Sequence, residues 1–155
     1  MNTITEVDPV RSGTRPDVLH QIDSRIEERI RFYATQPKEV IAKRIDELER
    51  EWDIERWLET NYATFALTGL LLGTIAGRKW FLLTAAALGM LLQHALQGSS
   101  PPVELLRRAG VRTRGEIDRE KYALKILRGD FQAISTNPDE LRRNPLTEVW
   151  KVVST

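Results

Sequence analysis

Apolar positions along the chain change their spacing twice. From Pro16 onward, Leu19, Ile22, Ile26, Ile30 and Tyr33 recur every three or four residues, the single stripe of an amphipathic helix. Pro37 interrupts the stripe, and Ile41, Ile45, Leu48 and Trp52 start a second one spaced 4, 3, 4. This second helix is expected to run on into a long uncharged stretch. Residues 60–77 are 18 positions without a charge, and residues 80–98 are 19 more, separated only by Arg78 and Lys79. As helices they would each reach about 27–28 Å, close to the ~30 Å hydrocarbon layer of a bilayer.

Beyond residue 98 the amphipathic pattern returns. Ser99-Ser100-Pro101-Pro102 reads as the opening of a short helix over 103–109 that Gly110 stops. Thr113 and Glu116 have the spacing of a capping box. The helix they start is expected to end at Arg128-Gly129, with Ile117, Leu124, Leu127 and Phe131 on one side. Residues 1–15 are polar, broken by Pro9 and Gly13, and read as disordered. The tail, 132–155, carries turn and cap signals at Asn137-Pro138 and Asn144-Pro145, then a last apolar patch around Trp150.

The fold expected from this pattern is all-α: a two-span transmembrane helical hairpin with amphipathic cytoplasmic helices on both sides. Its divisions are the disordered start 1–15, amphipathic helices over 16–59, the hairpin over 60–98 (60–77 and 80–98), interfacial and cytoplasmic helices over 99–131, and the tail. Two apolar helices need either lipid or a large protein shell, and 155 residues leave too little chain for the shell.

Composition changes this picture only when it is divided by segment. The whole chain has 23 Lys+Arg against 22 Asp+Glu and a mean hydropathy of −0.35, the averages of an ordinary soluble domain. Yet residues 60–103 hold just two of those charges. The segment before them is net −4 and the segment after them net +3. A total so near neutrality argues against a nucleic-acid binder. The absence of cysteine excludes disulfides, thiolate metal sites and a cysteine nucleophile. Lys43, Arg44, Arg50 and Arg56 before the hairpin, and Arg107, Arg108, Arg112 and Arg114 after it, place both termini in the cytoplasm. Those last four arginines are expected to lie on anionic lipid headgroups. Trp57, Tyr62 and Trp80 are the expected interfacial aromatics.

In the first span Gly69, Gly73 and Gly77 fall on one face, and Ala85 and Gly89 repeat the spacing in the second. Small residues in this register let helix backbones approach closely, within one hairpin or between two chains. Leu19, Ile22, Ile26, Ile41, Ile45, Leu48, Trp52 and Trp150 are the arm positions expected to pack on each other, on a second copy or on a partner.

The stretches EREWDIER and RTRGEIDREKYALKILRGDF, flanking the hairpin, carry a resemblance. Over about Lys43–Phe131 the chain resembles the YgaP-like transmembrane domain group, uncharacterised bacterial inner-membrane proteins. That resemblance implies a two-helix hairpin, in some relatives fused to a rhodanese domain, for which this chain has no room. Many relatives have Cys-Pro after the second span. Here the stretch reads Ser99-Ser100-Pro101-Pro102, so a thiol role does not carry over.

Catalytic constellations are missing: no Walker loop, no G-x-S-x-G, no zinc spacing and no Glu-x-x-His. His94, inside the second apolar run, is the one candidate for cofactor chemistry, as a haem ligand or a proton relay. The expected function is a non-catalytic inner-membrane anchor, adaptor or accessory subunit, without metal or cofactor. It would sit in anionic lipid as a homo-oligomer or as part of a larger membrane complex. The alternative is a haem-binding or transport-related oligomer centred on His94.

Overall fold

A computed structural model describes residues 8–97 and 101–132. Those residues are helical with no strand. The helices are α1 (Pro9–Ser12), α2 (Pro16–Tyr33), α3 (Lys38–Arg50), α4 (Ile54–Ile75), α5 (Phe81–Gln97), α6 (Pro101–Arg108) and α7 (Arg114–Arg128), with one 3-10 turn at Arg78–Trp80 before α5. The chain forms two compact units, Met1–Arg25 with Glu51–Ile117, and Ile26–Arg50 with Asp118–Thr155.

In the first unit, α4 and α5 pack along each other as an antiparallel hairpin. Its base is a core of Val10, Ile54, Leu58, Tyr62 and Val103, with Met90, Leu91, Leu106 and Val111 against it. The expected continuation of α3 into the first span does not occur. Asp53 is extended, and its carboxylate accepts from the Arg56 N–H at 2.8 Å, so it caps a new helix. The Ile54 N–H is taken by the Arg112 carbonyl at 3.0 Å, and Glu51 is held by the Arg112 guanidinium at 2.5 and 2.8 Å. The break therefore lies at residues 51–53, and α4 begins six residues before the uncharged run. At its other end Gly77 has φ +127°, a conformation that side chains with a Cβ rarely adopt.

The expectation of disorder over 1–15 fails for its second half, while residues 1–7 lie outside the described residues. Asp8 caps α1 by accepting from the Arg11 N–H at 2.9 Å, and Pro9 occupies a first-turn position. Val10 is buried in the core. A four-residue helix is too short to show a periodic stripe, which is why the pattern missed it.

In the second unit, Ile26 of α2, Ile41, Ile45 and Leu48 of α3, and Leu124 of α7 are buried. Glu120 is buried with them and tied to Arg44 at 3.0 Å and to Arg29 at 3.4 Å. The apolar stripes thus supply cores of this chain. Ile22 is likewise buried, in the first unit, and Leu19 is half-buried. Trp52 leaves its stripe: it sits in the break after α3, 38% exposed. Trp150 and the tail helices lie outside the described residues.

The capping box is present, with the Thr113 N–H donating to Glu116 at 3.0 Å and the Glu116 N–H to Thr113 Oγ1 at 3.4 Å. Gly110 and Gly129 follow α6 and α7 at positive φ, as expected of stop residues. Leu127 is exposed rather than buried with Ile117 and Leu124.

Candidate membrane hairpin and its ion-paired base

The hairpin reverses the usual order of large and small. Its close approach is made where side chains are absent. A Cβ on Gly69 would stand 2.6 Å from Thr84 Oγ1 and 2.7 Å from the Thr84 backbone nitrogen, and one on Gly73 would stand 2.6 Å from the Phe81 ring. Thr84 donates across the interface to the Ala66 carbonyl at 3.0 Å. Two of the three first-span glycines therefore pack within the hairpin, against Trp80, Phe81 and Thr84. Gly77 belongs to the turn instead. On α5 the small contact position is Ala87, which is buried. Ala85 is exposed, and nothing lies within 4 Å of where a Gly89 Cβ would be. The i, i+4 spacing of Ala85 and Gly89 is real, but it faces outward.

Large apolar residues cover the outside: Phe65, Leu67, Leu70, Leu71 and Ile75 on α4, and Leu82, Leu88, Leu92 and Leu96 on α5. Of the described helices, the one over Arg78–Gln97 is long and apolar enough to cross a membrane, with mean hydropathy 1.2 over its best stretch and 6% of that stretch buried within the chain. Helix α4 is long enough, but Glu55, Arg56, Glu59 and Asn61 make its first turns polar. Several polar side chains on α4 bond back to their own helix. Asn61 donates to the Trp57 carbonyl at 2.7 Å, Thr64 to Thr60 at 2.7 Å, and Thr74 to Leu71 at 2.7 Å. Each of these bonds satisfies one side-chain donor within the helix itself.

The expected interfacial aromatics divide. Trp57 and Trp80 are 40% and 38% exposed, whereas Tyr62 is buried in the core at the hairpin's base. Its position on the inward face of α4, between Leu58 and the glycines, decides this. Trp57 meets Trp52 edge-on with centroids 5.4 Å apart, and the Arg56 guanidinium lies 4.6 Å over the Trp52 ring.

The four headgroup arginines divide as well. Arg107 is 1% exposed and forks onto Glu116 at 2.6 and 2.7 Å. It also donates to Thr14 Oγ1 at 3.0 Å and to the Val111 carbonyl at 3.1 Å. Arg11 reaches the same Glu116 at 2.8 Å and grips Asp23 at 2.6 and 3.0 Å. Arg112 is buried against Glu51. Arg107 and Arg112 are therefore interior ion-pair partners, not lipid ligands, because matched carboxylates wait for them inside the unit. Arg108 and Arg114 are exposed, with Arg108 paired to Glu104 one turn earlier.

Burial by itself would push the Glu116 carboxyl up. The hydrogen bonds from Arg107, the Thr113 N–H and Arg11, with the Arg107 charge, outweigh it and hold Glu116 below the ordinary carboxylate range. Glu55, in the first turn of α4, shows the opposite balance. Burial pushes it up, aided by the charges of Asp53, Asp8 and Glu59, and its Oε2 finds no partner among the described residues.

His94 is half-buried near the end of α5, and its Nδ1 is buried without a hydrogen-bond partner among the described residues. Gln93 and Gln97 pair with each other at 3.5 Å. No group of three or more metal-ligating side chains gathers among the described residues. Sequence reasoning missed the buried ion pairs. The capping box did mark Glu116, but Arg107 and Arg11 come from separate helices with no shared period.

No protein-family model, curated protein or solved structure matches the chain, so these comparisons do not identify a YgaP-like family.

Proposed function

We propose that this chain is a small, non-catalytic protein of the bacterial inner membrane. In this reading the α4–α5 hairpin is embedded as two spans, both termini are cytoplasmic, and the ion-paired helical units serve as an adaptor that self-associates or docks onto a larger membrane complex. The observation that carries the reading is the outward apolar surface of α5, whose most hydrophobic stretch is only 6% buried by the chain itself. Monomeric soluble proteins rarely show an apolar surface of this extent. The back-bonded Asn61, Thr64 and Thr74 support the same reading for α4. Arg108 and Arg114 remain as the headgroup contacts.

Extraction of bacterial membranes containing the full chain tests the embedding. The chain is expected to stay in the pellet through alkaline carbonate and to leave it in detergent. Release by carbonate would reduce the hairpin to a peripheral contact.

A second reading, cofactor binding at His94, draws on its Nδ1, which has no partner among the described residues. A Soret band in the purified protein would favour it, and a flat spectrum would remove haem.

A further inference from the structure

A cleft of about 350 Å³ opens within the second unit, lined by Glu28, Arg29, Phe32 and Tyr33 of α2 and Arg44 of α3. Three features of its wall are chemically unspent. Arg29 is 42% exposed, and its one ion pair among the described residues, to Glu120, is long at 3.4 Å. That contact uses one of five N–H donors. Glu28 is exposed and has no ion pair among the described residues. Phe32 is 58% exposed and stands edge-on to Tyr33 at 5.1 Å between centroids, giving the cleft an aromatic wall.

Arg44 has a different task. Its fork is committed to Glu120 and Glu47, and its side chain is only 16% exposed. It lines the cleft with its guanidinium already engaged and so offers a ligand no second cation. Helical spacing sets the rest of the pattern. Glu28 and Phe32 are four residues apart, as are Arg29 and Tyr33, so each charge has an aromatic neighbour one turn on. A carboxylate acceptor, a guanidinium donor and an apolar ring surface thus line one cavity.

From this juxtaposition we infer that the cleft binds a small aromatic zwitterion of the α-amino-acid class. The ligand carboxylate takes the Arg29 fork, its ammonium faces Glu28, and its ring lies against Phe32 and Tyr33. Glu28 sets the class. It repels a dianion such as phosphate and leaves a simple aryl carboxylate without a partner for the acidic wall. Every residue of the cleft belongs to the second unit, so its ligand is independent of whether the hairpin crosses a membrane.

Isothermal titration of the full chain in lipid nanodiscs tests it, with L-phenylalanine, 3-phenylpropionate, phenethylamine and inorganic phosphate as probes. L-phenylalanine is expected to saturate with a Kd below about 1 mM, with 3-phenylpropionate and phenethylamine each weaker by roughly tenfold or more. Arg29→Gln should weaken L-phenylalanine by about tenfold. Because Arg29 also supports the buried Glu120, Glu28→Gln is the cleaner variant. It leaves no ion pair broken and should abolish the preference for L-phenylalanine over 3-phenylpropionate. Absence of saturable binding, equal binding of all three aromatic probes, phosphate binding as tight as L-phenylalanine, or a Glu28→Gln protein that keeps its preference would each overturn the inference.

Discussion

Within the first unit, the hairpin and its base bury opposite things. Beyond the base, α4 and α5 meet through Gly69, Gly73, Thr84, Ala87 and the Phe81 ring, while leucine and isoleucine face out. At the base, the interior includes an arginine and a glutamate that are 1% and 0% exposed. If the hairpin is embedded as proposed, the two regions obey one rule under different solvents. A polar group can be interior when its partners are supplied, as Glu116 is by Arg107, Arg11 and Thr113. An apolar group can be exterior when the surroundings are as apolar as itself, which a bilayer provides. The contrast shows where each region is fragile: the base through its charges, the hairpin through its contact distances.

The largest effect should come from breaking the base. Glu116→Gln leaves the buried Arg107 without the carboxylate that compensates it and Arg11 with Asp23 alone, and should cost about 3–5 kcal/mol in denaturant unfolding of the full chain in micelles. A double replacement, Arg107→Met with Glu116→Leu, removes both charges and should recover part of that loss. A loss no smaller in the double variant would mean that charge pairing is not what organises the base.

Steric changes to the hairpin come next, and they separate the two faces. Gly73→Leu drives a side chain into the Phe81 ring and should cost about 1–3 kcal/mol. Gly89→Leu points into open space and should leave the unfolding midpoint of the monomer unchanged. Equal effects at the two sites would contradict the inward assignment of the glycine face. Asp53→Ala removes the cap that starts α4 and should cost about 1 kcal/mol, read as a loss of helical ellipticity at its midpoint.

The smallest effects concern pH, and the two glutamates should respond with opposite sign. Glu116 is held low in the fold, so its contribution is complete above the ordinary carboxylate range and is lost as pH falls through its depressed value. Glu55 is held high, so the fold gains stability as pH falls through its raised value toward the ordinary one. Glu55→Gln should therefore raise stability at neutral pH by about 0.5 kcal/mol and flatten that acid-side gain. Stability curves of the wild type and the variant that superimpose on the acid side of neutrality would exclude a burdened Glu55.

Much of the architecture was legible in spacing. The stripes of α2 and α3, the uncharged runs of the hairpin, and the capping box of α7 are local patterns, and each lies within one or two turns of its own helix. What spacing could not show was distance in space between segments far apart in the chain. Arg107 and Arg112 look like headgroup ligands because they follow an apolar run. Their partners are Glu116 nine residues on and Glu51 sixty-one residues back. Tyr62 has the composition of an interfacial residue, but its turn of α4 faces inward. The α3–α4 break hid because no proline or glycine marks it; a capping aspartate in a run of charged residues does the same work. The cleft in the second unit was invisible because its lining comes from two helices, α2 and α3.

The central claim is that α4 and α5 both cross a bilayer. Because the chain has no cysteine, single replacements report topology without background. Gln36→Cys, Lys79→Cys and Arg114→Cys can be exposed in intact cells to a membrane-impermeant maleimide. The expected pattern is labelling of Lys79→Cys alone, with Gln36→Cys and Arg114→Cys reacting only after permeabilisation. Gln36→Cys and Arg114→Cys on opposite sides, or all three on one side, would contradict a two-span hairpin.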